Sequence, residues 1–73
     1  MITEILVSLL GEGVDVWRPV RAEHVSGNLY RIAEQPYDRS SESWQFEPGD
    51  RVVCELVKLS DRTNLVAISL AAT

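Results

Sequence analysis

Apolar residues along this chain come in short runs rich in Val, Ile and Leu, bounded by Gly, Pro, Asn and Asp. No window sustains the three- and four-residue spacing of an amphipathic helix, so the pattern predicts strands. Ile2 to Leu10 is the first, with a helical turn as the alternative because Leu6, Leu9 and Leu10 also suit one. After a Gly11-Glu12-Gly13 turn, a second strand runs from about Val14 to Ala22. Its period of two places Val14, Val16, Val20 and Ala22 on one face. Arg18 is the misfit on that face. Pro19 cannot donate to a ladder, so the strand is either an edge there or bulged near residues 17 to 19, and a bulge would turn Arg18 outward.

Ser26-Gly27-Asn28 is a compact turn leading into Leu29 to Ala33, where Tyr30 and Ile32 share a face, as in a hairpin. Residues 35 to 43 carry Pro36 and three serines without any period and read as the longest exposed loop. Trp44-Gln45-Phe46 alternates, and Glu47-Pro48-Gly49-Asp50 fits a type II turn, with proline presetting φ and glycine taking the positive φ. A second hairpin is expected across that turn. Arg51 to Leu59 is the strongest strand, apolar on both faces, and Ser60 to Asn64 turns the chain into a last strand, Leu65 to Leu70. Five to six short strands without a long helix predict an all-β, SH3-like small barrel spanning residues 1 to 73 as one domain. A barrel of the oligonucleotide-binding fold is the alternative.

At 73 residues, of which 45% are hydrophobic and 25% charged, the chain fits a small globular class with little room for a catalytic cleft. Its one cysteine, Cys54, has no internal disulfide partner, and no Cys and His spacing suggests a metal site. No cofactor is expected. The apolar start lacks a basic flank and is broken by Ser8, so neither a signal peptide nor a membrane span is predicted and a cytoplasmic location is expected. A net charge of -4 opposes polyphosphate binding overall. Basic residues nevertheless gather early, at Arg18, Arg21 and Arg31, ahead of an acidic stretch from Glu34 to Asp50.

The ordered set V-W-R-P-V at 16 to 20, Y-R-I at 30 to 32, W-Q-F-E-P-G-D at 44 to 50 and V-V-C-E at 52 to 55 resembles a group of short bacterial proteins of unknown function. The resemblance runs from about Gly11 to Ala67. It implies a bacterial origin and a small β fold, and brings no activity or functional residue with it.

Candidate chemistry is confined to a few side chains. Glu23 and His24 point to opposite faces of a regular strand, so they do not form an acid–base pair unless a bulge intervenes. Cys54 reads as a buried small hydrophobe, and no serine has a neighbouring base. Trp44 and Phe46 are expected in the core; exposed, they would line a peptide groove with Tyr37. Tryptophan and arginine are enriched in interface hot spots, so Trp17, Arg18, Arg21, Tyr30 and Tyr37 are the candidate binding residues. The expected function is that of a non-catalytic protein-binding or adaptor module. Two alternatives are a barrel binding single-stranded nucleic acid through the same aromatics and arginines, and a self-associating subunit pairing through an edge at Ile5-Leu6-Val7.

Overall fold

Six strands and no helix make up the described part of the computed structural model, which covers residues 1–12 and 16–71. They are β1 (Ile2–Leu10), β2 (Trp17–Ser26), β3 (Leu29–Ile32), β4 (Ser43–Trp44), β5 (Arg51–Leu59) and β6 (Arg62–Leu70). The expected turn at Gly13 and strand start at Val14 lie outside the described residues. β1, β2, β3, β5 and β6 each pair with the next, and β6 returns to β1 through the parallel pair Leu6–Val66, so the sheet closes on itself. The ring follows the simple up-and-down order of the expected small barrel, not the Greek-key order of the oligonucleotide-binding fold.

Alternation decides what fills it. Ile5 and Val7 from β1, Val20 and Ala22 from β2, Ile32, Val52, Cys54 and Ala67 all bury on the inner face, and Trp44 and Phe46 close one end. Both aromatics are in the core, as their spacing predicts. Gly49 has φ of +93° and the Asp50 N–H donates to the Glu47 carbonyl at 3.0 Å, the geometry of the expected type II turn. The Glu47 N–H in turn donates to Asp50 Oδ2 at 2.8 Å, tying the turn at both ends.

Ile2–Leu10 is a strand, and β2 and β6 occupy both of its sides, so Ile5-Leu6-Val7 is not a free edge. No bulge interrupts residues 17 to 19: β2 runs against β1 in unbroken register, with Arg18 opposite Val7 and Pro19 opposite Leu6. The chain uses the other solution, an edge. Leu9 donates to the Val16 carbonyl and His24 to that of Met1, which sets the alternation and puts Pro19 at a position whose nitrogen points away from β1. β3 does not reach that far along β2, so no hydrogen bond is lost there. The one irregularity of β2 is at Val25, just before the Gly27-Asn28 turn.

Trp44 does not form a hairpin across the 47–50 turn. β4 pairs with the end of β1, Leu9 opposite Trp44, and β5 pairs with β3 and β6. The last turn is also tighter than expected: Leu59 pairs with Arg62, leaving only Ser60, at φ of 55°, and Asp61 between the strands. Two-residue loops match the twist of paired strands.

Candidate functional site

The five candidate residues are divided between the two faces and the two ends of the barrel. Arg18 follows the alternation of Val20 and Ala22 and so faces inward, at the end where the interior opens toward Trp44. Its guanidinium reaches across the loop to Glu42, with Nε donating to Oε1 at 2.9 Å and Nη2 to Oε2 at 2.6 Å. Glu42 Oε1 also accepts from the Trp44 indole at 2.7 Å. Tyr37 stacks on Trp44 at 4.3 Å between ring centroids, and its hydroxyl accepts the Trp44 N–H at 2.7 Å. Arg39 lies 4.5 Å above the Tyr37 ring and pairs with Glu47. Arg18 and Tyr37 thus belong to a lid of stacked and paired side chains that closes the barrel end. They are committed to the fold.

Glu42 is held below its ordinary value of 4.5, chiefly by the Arg18 hydrogen bonds and then by the Trp44 indole. Asp38, which accepts from the Ser40 hydroxyl at 2.6 Å and from the Ser40 N–H, is likewise lowered. A carboxylate with a depressed folded pKa contributes stability that is present above its unfolded pKa and is lost as pH falls through the folded one. The thermal midpoint is therefore expected to hold from neutral pH down to about 4.5 and to drop below it. In Glu42→Gln the acid-side drop should shrink and the neutral-pH midpoint fall; an unchanged acid profile would remove the lid from the account.

At the other end, His24 lies directly across from Tyr30, their ring centroids 4.9 Å apart, and His24 Nε2 lies 2.9 Å from the Gly27 carbonyl oxygen. Glu23 points to the opposite face, so the Glu23–His24 pair does not form. Cys54 is 2% exposed, and loss of water pushes its thiol up to about 11, which is the wrong direction for a nucleophile. Among the described residues, no three His, Cys, Asp or Glu side chains converge on a possible metal position.

Trp17 and Arg21 remain, on the outer face. With Tyr30, Ile32 and Val52 turned toward the core, Arg31 and Arg51 share that outer face, and the register sets Glu23 beside Arg31 and Arg31 beside Arg51. Ile32 donates to Asp50 on the same ladder, which makes Arg31–Arg51 a non-hydrogen-bonded pair, the closer of the two kinds. Like charges directly opposite one another destabilise a sheet. Among the described residues only Arg18 and Arg39 make ion pairs, so no described carboxylate lies within 4.0 Å of Arg21, Arg31 or Arg51. Arg51 and Arg21 are exposed, and Arg31 and Trp17 half-buried.

Gln35 holds the edge of this face. Its Oε1 accepts the Arg21 N–H at 3.0 Å and its Nε2 donates to the Arg21 carbonyl at 2.9 Å, so a side chain continues the ladder past the end of β3. The Arg21 backbone is thereby fixed, and its side chain stands across from Glu4 of β1 on the outer face. Arg31 was visible in the sequence only as part of an early basic cluster, and nothing in the sequence aligned it with Arg51, which follows the loop and the turn. The described residues contain no helix long and apolar enough to cross a membrane. Comparisons of this chain with protein-family models, with curated proteins and with solved structures return no match.

Proposed function

We propose that this chain is a non-catalytic protein-binding module that receives an acidic segment of its partner on the Arg21–Arg31–Arg51 face. The observation that carries the reading is the Arg31–Arg51 pair: two guanidinium groups on neighbouring strands, neither with a described carboxylate within 4.0 Å, although Glu23 stands beside Arg31 on the next strand. The arrangement costs stability in the isolated chain, and an approaching carboxylate relieves it while accepting bidentate hydrogen bonds. Half-buried Trp17, four positions from Arg21 on the same face, adds apolar contact of the kind found in interface hot spots. A cytoplasmic setting, in a bacterium as the sequence resemblance implies, belongs to the same proposal.

A single-stranded nucleic acid would use the same arginines, but the net charge of -4 works against a polyphosphate more than against a short acidic peptide. The test is fluorescence anisotropy with a labelled glutamate-rich peptide and a labelled oligothymidine of matched length over a salt series. The peptide is expected to bind more tightly, with affinity falling as salt rises. Tighter binding of the oligothymidine would transfer the face to nucleic acid, and binding of neither would sink both readings.

A further inference from the structure

Past the end of β3, β5 runs on with no further strand of the described residues beside it. β3 covers β5 as far as Val53, and the Cys54 N–H then donates to the Asn28 carbonyl at 2.9 Å. β5 continues to Leu59, held among the described strands only by β6. Antiparallel residues alternate in the side to which their backbone groups point. Cys54 points toward β3, so Leu56 and Lys58 present their N–H and C=O groups to the same side, where no strand of the described residues follows. This edge contains no proline, and its register with β6 is unbroken from Cys54 to Leu59. The exposed edge of β2 differs, since Pro19 removes one donor and Gln35 occupies both backbone groups of Arg21.

A groove of about 580 Å³ runs beside the open edge, lined by Asn28, Tyr30, Cys54, Glu55, Leu56 and Leu65. Leu56 is 71% exposed, a large apolar side chain with nothing over it. Glu55 is the single charged residue of that lining and points to the face opposite Leu56. We infer that the Leu56–Lys58 edge takes up an extended peptide as an added strand, with apolar side chains toward Leu56 and Leu65 alternating with basic ones toward Glu55. Main-chain hydrogen bonds supply affinity in this mode and alternate side chains supply specificity. Lys58, on the Leu56 face, disfavours a cation there and so fixes which set is apolar.

A second copy of the chain suits the edge less well. Asn28 already occupies the place opposite Cys54, which excludes pairing Leu56 with its own equivalent. The next register, Leu56 against Lys58 of the second copy, sets Glu55 opposite a leucine and leaves its charge without a complement.

The test uses the full chain, isotope-labelled for NMR, titrated with a capped peptide of alternating lysine and valine. Shift changes and slowed amide exchange are expected at Leu56 and Lys58. Methylating one alternate set of peptide nitrogens should abolish binding, and methylating the other should leave it unchanged. Glu55→Lys should weaken binding by about tenfold, as expected for reversal of one charge-assisted contact. Lys58→Pro removes an outward N–H without touching the β6 ladder and should abolish binding with the barrel retained. Equal effects of the two methylated peptides, shift changes centred on Arg31 and Arg51, dimerisation through the edge, or no binding would each overturn the inference.

Discussion

Replacing Trp44 with alanine is expected to cost about 3 to 5 kcal/mol, the range for removing a large buried aromatic. Typical stabilities per residue give a chain of this length roughly 4 to 11 kcal/mol in all, so the variant should lose a large share of its stability and unfold at a much lower urea concentration. Three kinds of contact disappear together. The ring, 5% exposed, leaves the barrel end open; the stacked Tyr37 loses its support; and the indole no longer donates to Glu42, which is then held by Arg18 alone. Trp44→Phe keeps most of the apolar volume and removes the indole N–H, so it should fall between alanine and wild type. Urea unfolding followed by circular dichroism measures both. A loss below about 1 kcal/mol in the alanine variant would show that the lid contributes little to stability.

Arg51→Glu is expected to move stability and binding in opposite directions. Opposite Arg31 it converts a like-charge pair into an attractive one, a change of about 0.2 to 1 kcal/mol in favour of the fold. For an acidic peptide it replaces a contact with a repulsion, and affinity should fall by tenfold or more, about 1.4 kcal/mol. A higher thermal midpoint together with weaker peptide binding is the signature of a residue kept for function at some expense of stability. An unchanged affinity would dissociate the arginine pair from binding; a lowered midpoint would mean that Arg51 has a structural partner after all.

Much of the barrel was legible in the order of residues because local rules governed it. The alternation around Val20 and Ala22, the Pro48-Gly49 turn and the burial of Trp44, Phe46 and Cys54 follow from patterns spanning a few positions each. What was not legible depended on pairing between distant segments. Arg18 looked like a residue in need of a bulge because its partner, Glu42, is 24 positions away and reaches it only when the loop folds over the barrel end. β4 has the alternation of a hairpin strand, yet its partner is β1 at the start of the chain. The arginine face has the same origin. Arg31 and Arg51 align only through the register between β3 and β5, which no short window of sequence contains.

The closure of the ring has a consequence of its own. Neighbouring strands β1–β2, β2–β3 and β5–β6 are joined by connections short enough to zip early, whereas the Leu6–Val66 seam unites the two extremes of the chain through one residue pair. Closing so long a loop costs more entropy than any hairpin, so the seam is expected to form last in folding and part first under thermal fluctuation. Amide exchange at Leu6 faster than at Val7, whose N–H points to the β1–β2 ladder, would report this hinge-like breathing, and equal protection would exclude it. The molecule is then a curled ribbon fastened by a single stitch.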